Sequence, residues 1–310
     1  MELRQLRYFV AIVDHGSLSR AALVLHVAQP ALTQQLRQLE DELGAKLLHR
    51  SAHGVLSTDA GKVFYEHAQA ILKQVADARS AVTQSTTRPS GSVTLGLPQS
   101  ISGALALPLL TAARASYPEI TLQLTEEISG SLAEQLQSGR INLAVLFDDG
   151  QLGHFAGTAL VHEDLAFVCR TGSVFAPAGP TITLADAVAS TLILPALQQG
   201  VRPRIEQAAR AAGLTLASVI EINSIAILKS AILADMGATL LPVAPLRAEI
   251  DQGQVSAYPL HSPGLARKVT LCASRNIPLT NAAAAISRLV AQVTAELCAS
   301  GAWPGARLAT

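Results

Sequence analysis

Leu32, Leu36, Leu39 and Leu43 recur at steps of four, three and four, so they fall on one side of an α-helix and can bury against a neighbour. The other side is polar and carries Gln29, Thr33, Gln34 and Arg37. Pro30 stands at the first helical position, where its missing amide costs nothing. Upstream, Leu3, Leu6, Phe9, Val10 and Val13 make the apolar stripe of a first helix, which Gly16 is suited to end in a left-handed cap. Ser17 caps a short helix over residues 18–25, and His26-Val27-Ala28 is the turn before the leucine-backed helix. Residues 46–50 and 55–57 flank a hairpin-sized loop with Gly54 at its tip. Helix, helix, turn, helix and wing predict an all-α winged helix-turn-helix over residues 1–58.

From Asp59 to Ser85 there is no proline and one glycine, and Phe64, Ala68, Ile71, Val75, Ala78 and Val82 alternate steps of four and three. That heptad predicts a long linker helix over residues 59–87, roughly 40 Å at 1.5 Å per residue, whose stripe pairs with a second copy of the chain. The alternative is that the stripe packs on its own domain. Residues 88–92, polar with proline and glycine, end the linker as a hinge.

Beyond the hinge, strands and helices alternate. Residues 93–97, 120–126 and 143–146 are expected as strands, with helices over residues 104–116 and 131–138. A second round follows: strands at 192–195, 218–222 and 238–241, helices at 203–212 and 225–234. Leu97-Pro98 matches Leu194-Pro195 in place, and Ile128-Ser129 matches Ile222-Asn223, so two related α/β lobes are expected. The chain crosses between them near residues 162–164 and 267–268. Lobe I then takes residues 93–162 and 269–300, with a strand at 269–274 and a helix at 282–298, and lobe II takes residues 163–268. Residues 301–310 form a tail with no assignable role.

In such lobes ligands sit at the carboxyl ends of the strands, where helices begin. Gln99, Ser100, Ser102, Ser129, Gln198, Gln199, Asn223 and Ser224 occupy those positions. Their hydroxyls and amides suit a small anionic or polar metabolite, although serine and asparagine there also serve as plain helix caps.

Charge changes the picture of the first domain. The chain has 23 basic and 23 acidic residues, and the first sixty residues are balanced as well. Affinity for nucleic acid must come from placement: Gln29, Thr33, Gln34 and Arg37 toward base edges, and Arg20, His49, Arg50 and His53 toward phosphates. Three scattered cysteines offer neither a disulfide framework nor zinc spacing, and the amino end is amphipathic, so a cytoplasmic chain with no membrane span is expected. No nucleophile elbow, phosphate loop, metal motif or cofactor-binding motif is present, so no enzyme and no cofactor are expected. The alternative, a cytoplasmic solute-binding or enzymatic α/β domain with an incidental helical extension, leaves the polar helix face unexplained.

Leu6-Arg7-Tyr8-Phe9, Gly16-Ser17-Leu18-Ser19-Arg20-Ala21-Ala22, Gln29-Pro30-Ala31-Leu32-Thr33, Leu47-Leu48-His49-Arg50 and Thr58-Asp59-Ala60-Gly61 resemble the amino-terminal signature of LysR-type transcriptional regulators. The segments around Ala28 and around residues 59–62 are similar to the nitrogen assimilation control branch of that family. The resemblance implies a multi-domain fold: a winged helix-turn-helix, a linker helix and a two-lobed effector domain like periplasmic solute-binding proteins. It also implies partners: double-stranded DNA at an inverted repeat, a small-molecule effector, further copies of the chain as dimer and tetramer, and RNA polymerase. One departure stands out. The family usually has serine where this chain has Ala28, so a helix cap is missing or supplied elsewhere.

Overall fold

Leucines set the first unit. The structure is a computed structural model and describes residues 1–51, 54–83, 88–148, 150, 152–196, 200–261 and 265–309, the side chains of Arg50, Ser51 and Thr83 apart. The chain divides into two units, residues 1–84 and most of residues 85–310. In the first, α1 (Leu3–His15), α2 (Leu18–Val24) and α3 (Gln29–Leu43) close on Leu6, Phe9, Ile12, Leu18, Ala21, Leu32, Leu36 and Leu39. Leu43, expected in that stripe, is instead 40% exposed, because the last turn of α3 reaches its left-handed cap at Gly44 beyond the core. Gly16 ends α1 at φ 58°, as its position predicts, and the Ser17 hydroxyl accepts from the Arg20 amide at 3.4 Å.

β1 (Leu48–Ser51) and β2 (Gly54–Ser57) form the antiparallel wing. It is seated by the Val55 amide on the Gly16 carbonyl at 3.0 Å and by the Thr58 amide on the Leu47 carbonyl at 2.9 Å. α4 (Asp59–Thr83) then leaves so close to the wing that a Cβ on Gly61 would lie 1.9 Å from the Leu47 carbonyl oxygen, an approach only glycine allows.

The heptad on α4 is not one continuous seam. Ala68 is fully buried and Phe64 half-buried in the winged-helix core, where the Phe64 ring meets Phe9 edge to face at 5.1 Å. Those two positions therefore contribute to the core of their own domain, where α1 packs on the first turns of α4. Further along, Ile71 is 37% exposed and Val82 87% exposed, with Val75 half-buried and Ala78 exposed between them.

In the second unit, β3 (Gly91–Pro98), α5 (Gln99–Ser116), β4 (Ile120–Glu127), α6 (Ser129–Ser138) and β5 (Leu143–Asp148) build parallel strands in the order β4-β3-β5. Gly91 and Ser92, expected in the hinge, are strand residues paired with Ile120 and Thr121. β6 (Phe155–Asp164) follows in the same sheet, and the chain then crosses at Leu165 to β7 (Ala166–Arg170). α7 (Leu184–Ala189), β8 (Thr191–Leu194), α8 (Arg202–Ala211), β9 (Ser218–Glu221), α9 (Ile225–Leu233) and β10 (Thr239–Leu241) come next. α10 (Arg247–Asp251) and β11 (Val255–Pro259) complete the second lobe. β12 (Ala266–Ser274), α11 (Asn281–Ala299) and β13 (Ala306–Leu308) return to the first, whose sheet reads β13-β6-β12-β5-β3-β4.

The internal repeat seen in the sequence is present. β8 pairs parallel with β9 and bridges to Ala238 just before β10, so β9-β8-β10 reproduces β4-β3-β5. Each lobe thus offers the carboxyl end of a central strand, β3 or β8, closed by a proline, Pro98 or Pro195. The first lobe is cored by Val93, Leu95 and Leu97 under Ile101, Leu105 and Leu109 of α5 and Ile286, Leu289 and Val290 of α11. α11 is long and apolar enough to cross a bilayer, but here its apolar face is part of that core.

Sequence patterning missed β6, β7, α7, α10, β11 and β13. It also assigned no role to residues 301–310, whereas Trp303 is buried and β13 pairs antiparallel with β6.

Candidate nucleic-acid interface and interlobe cleft

The polar face of α3 is open. Gln29, Pro30, Gln34 and Arg37 are exposed and Thr33 half-buried, with Leu32, Leu36 and Leu39 behind them. Gln29 Nε2 donates to Thr33 Oγ1 at 3.0 Å, one turn along. Among the described residues Arg37 has no ion pair, so its guanidinium keeps its donors for an external acceptor. Arg20 on α2 and His49 on β1 are also exposed. His53 and the Arg50 side chain lie outside the described residues. Ala28 leaves α3 without a side-chain cap, as its identity predicts.

Glu40, toward the far end of α3, is not part of that open face. It is instead buried, and its carboxylate accepts from the Leu47 amide at 2.9 Å, the Leu48 amide at 3.3 Å and Lys46 Nζ at 2.7 Å. Glu40 therefore ties α3 to the base of the wing. Burial alone pushes this carboxyl up, but the Lys46 and backbone hydrogen bonds outweigh it and hold the group below the ordinary carboxylate value. Tyr65 of α4 donates to Asp14 of α1, and burial together with Asp14 pushes its phenol up to about 12.

In the second unit a cleft of two chambers lies between the lobes. The first, about 80 Å³, is reached by Gln99, Ser100 and Ser129 from the first lobe and by Pro195, Asn223 and Ile225 from the second. Gln99 Oε1 accepts from the Ile225 amide at 3.4 Å, joining the start of α5 to the start of α9. Asn223 Oδ1 accepts from the Ala196 amide at 2.7 Å, and Ser224 caps α9. The Ser129 hydroxyl is buried with no partner among the described residues. Ser102 does not reach the chamber: its hydroxyl turns to the Gln99 carbonyl and to Glu126, because residue 102 lies on the flank of α5 that faces β4. Gln198 and Gln199 lie outside the described residues.

The second chamber, about 310 Å³, shares Ser129, Phe147, Val201 and Arg267 with the first and adds Asp148, Arg204 and Gln207. Arg267 is its floor. It is 4% exposed, its Nε donates to Glu163 Oε2 at 2.7 Å, and its guanidinium lies 4.0 Å over the Phe147 ring. The other Glu163 oxygen accepts from Trp303 Nε1 at 2.8 Å. Glu163, Arg267 and Trp303 thus clamp the two strands by which the chain leaves and re-enters the first lobe. Sequence reasoning placed the crossing near these residues without seeing the pair. The available signal was an acidic pair, Glu163-Asp164, ending one strand and a basic pair, Arg267-Lys268, opening another.

Cys169 and Cys272 are buried, and burial pushes their thiols up to about 11 and about 12. Cys298 is raised for the same reason, so none of the three offers a ready thiolate.

Residues 3–62 match the model of the bacterial regulatory helix-turn-helix protein, lysR family, and residues 86–295 match the LysR substrate binding domain. The nitrogen assimilation regulatory protein nac of Escherichia coli is 40% identical over 249 residues, covering 80% of each chain. The nac protein of Klebsiella aerogenes is 35% identical over 291 residues, covering 94% of each. Among solved structures, CbnR, a LysR family transcriptional regulator, superposes with a TM-score of 0.68 at 25% identity over 95% of this chain and 99% of that one. A full-length OxyR variant from Pseudomonas aeruginosa shares the fold, with a TM-score of 0.70 at 21% identity over 95% and 97%. A polar helix face in a winged helix-turn-helix, a two-lobed α/β domain with a cleft, and both family matches favour a regulator over a solute-binding domain or enzyme. The chain belongs to the LysR family of DNA-binding transcriptional regulators with an effector-binding domain.

Proposed function

We propose that the chain reads an inverted repeat as a dimer, with Gln29, Thr33, Gln34 and Arg37 addressing base edges and Arg20, Arg50 and His53 the phosphates. The observation that carries this reading is the exposure of Arg37 and Gln34 on the face of α3 opposite its buried leucines. Arg pairs bidentately with guanine and Gln with adenine, and each such pair discriminates by roughly 1–3 kcal/mol. Self-association falls to the exposed part of α4, Ile71, Val75, Ala78 and Val82, and two dimers join as a tetramer. The likeness to the two nac proteins supports a role in controlling genes of nitrogen assimilation, in the cytoplasm, in concert with RNA polymerase and without enzymatic activity. A small polar or anionic effector bound at Gln99, Ser100, Ser129 and Asn223, with Gln198 from the neighbouring loop, sets the relation of the two lobes.

A second reading comes from relatives named as hydrogen peroxide-inducible genes activators, 28% identical over 281 residues. The buried, high-pKa cysteines speak against a thiol switch.

The test is footprinting of the purified chain on genomic DNA. Protection of an inverted repeat, lost with Arg37→Ala and Gln34→Ala, supports the reading helix; unchanged sequence selectivity in both variants refutes it. Sedimentation of Ile71→Asp checks the dimer, where an unaltered mass removes α4 as the interface.

A further inference from the structure

We propose that residues 301–309 act as a strap across the hinge between the two lobes, stiffening the crossing strands and limiting how far the lobes can turn. The strap acts on the hinge itself, whether or not a ligand occupies the cleft. Its residues lie beyond the segment matched to the LysR substrate binding domain.

Two strands carry the chain between the lobes. It leaves the first lobe at the end of β6 and re-enters at the start of β12, where Asp164 pairs with Ala266 and Glu163 with Arg267. A ribbon of two strands twists readily, and a few residues at its end can absorb the change in backbone angles when lobes turn. β13 lies along the other edge of β6, with Ala306 opposite Glu163 and Arg307 opposite His162. The Asp164 amide donates to the Gly305 carbonyl at 3.1 Å, and the Ala309 amide to the Leu160 carbonyl at 3.0 Å. At the crossing the ribbon is therefore three strands wide.

One buried carboxylate fastens all three. Glu163 Oε2 lies 2.7 Å from both Nε and Nη2 of Arg267 on the returning strand, and Glu163 Oε1 accepts from Trp303 Nε1 of the strap at 2.8 Å. All three side chains are buried, so a lost partner is not simply replaced by bulk water. The exposed ion pair of Arg307 with Asp164, at 2.7 Å, adds little to this hold.

The strap touches the second lobe as well. Arg247 Nη1 donates to the Gly301 carbonyl at 3.5 Å, and a Cβ on Gly305, at φ 74°, would lie 3.3 Å from Val243 Cγ2. Val243 packs against the core of the second lobe, and the adjacent Ala244 belongs to the core of the first. Residues 301–309 thus run from the end of α11 in the first lobe, past this junction, to the outgoing strand. A cover for the open edge of β6 would need neither the tryptophan's hydrogen bond to Glu163 nor the contacts with Val243 and Arg247.

The test uses the full-length chain with spin labels at Ser116→Cys, at the end of α5 in the first lobe, and Ala211→Cys, at the end of α8 in the second, both exposed positions. Cys298→Ser leaves two buried native thiols, and dilution with excess unlabelled chain confines the measured distance to one copy. Trp303→Phe keeps a ring in place and removes the hydrogen bond, whereas deletion of residues 301–310 removes the strap. By pulsed electron paramagnetic resonance, the distribution of distances between the lobes should broaden in Trp303→Phe and broaden further in the deletion. In Trp303→Phe, amides of residues 160–166 and 265–269 should exchange with deuterium about tenfold faster or more, as for a lost hydrogen bond to a charged group, while those of β3 and β8 keep their rates. A distribution unchanged in both variants overturns the strap, whatever the exchange shows. Broadening with equally accelerated exchange in β3 and β8 means loosened lobes rather than a freed hinge, and overturns it too. If the deletion does not fold, Trp303→Phe decides by the same criteria.

Discussion

Two glutamates hold the two units in different ways. Glu40, at the base of the wing, meets a lysine whose side chain is 66% exposed and two backbone amides. Glu163, at the lobe crossing, meets an arginine and a tryptophan as buried as itself. The first carboxylate anchors a loop and keeps contact with water through its partner. The second is sealed, so its partners are obligatory. Each stands behind a candidate surface rather than on it: Glu40 behind the face that carries Arg37, Glu163 beneath the chambers of the cleft. A chain with balanced charge can thus fix exposed cations on one unit and buried cations in the other without a basic surface overall.

Breaking the sealed pair should cost most. Arg267→Met leaves the Glu163 carboxylate buried with Trp303 as its remaining donor, and a loss of about 3–5 kcal/mol is expected in urea unfolding followed by Trp303 emission. Adding Glu163→Leu should recover much of the loss, since an apolar pair of similar volume needs no compensating charge. A loss below about 1 kcal/mol for Arg267→Met alone means that the sealed site is wetter than its burial indicates.

Glu40→Gln should cost less, about 1–3 kcal/mol, because Lys46 can return to water once its partner is neutral. Here pH sharpens the contrast. The folded-state pKa of Glu40 lies below the ordinary glutamate value, so its contribution is present above that value and is lost as pH falls through the lower, folded one. The wild-type chain should therefore lose stability over that interval more steeply than Glu40→Gln. Parallel acid limbs in the two proteins would show that the Glu40 hydrogen bonds do not favour its charged form.

Arg37→Ala separates surface from support. Stability should stay within about 0.5 kcal/mol, since the side chain is exposed. Discrimination between operator and scrambled duplex should fall by roughly 1–3 kcal/mol, read in a competition mobility-shift assay. A uniform loss on both duplexes would assign Arg37 to phosphate instead.

The same contrast explains what the sequence made legible. Leu32, Leu36 and Leu39 were readable because one helix face has one partner, and the β3 to β5 and β8 to β10 repeats because each strand is short, apolar and bounded by turn residues. The α4 stripe was legible as a period but not in what covers it: α1 meets Phe64 and Ala68, and the stripe beyond is left open. Glu40, Glu163, Arg267 and Trp303 were invisible for a common reason. Each acts through contacts six to 140 positions away, and a polar residue that is buried by distant partners carries no periodicity. Ser102 shows the converse: its place after a strand fits a ligand site, but one turn of helix rotates its hydroxyl to Glu126.

The smallest effect is expected where sequence and structure agree. Ala28 is in extended conformation, φ −70° and ψ 131°, and its side chain makes no cap bond. Ala28→Ser places a hydroxyl where it can accept from an amide of the first turn of α3, and a gain of about 0.5–2 kcal/mol is expected in the unfolding of the first unit. Operator affinity should change little, because Gln29 and Arg37 keep their places. If stability does not rise, the Gln29–Thr33 hydrogen bond already fixes that turn. Serine at residue 28 with Ala at residue 33 then distinguishes a redundant cap from an absent one.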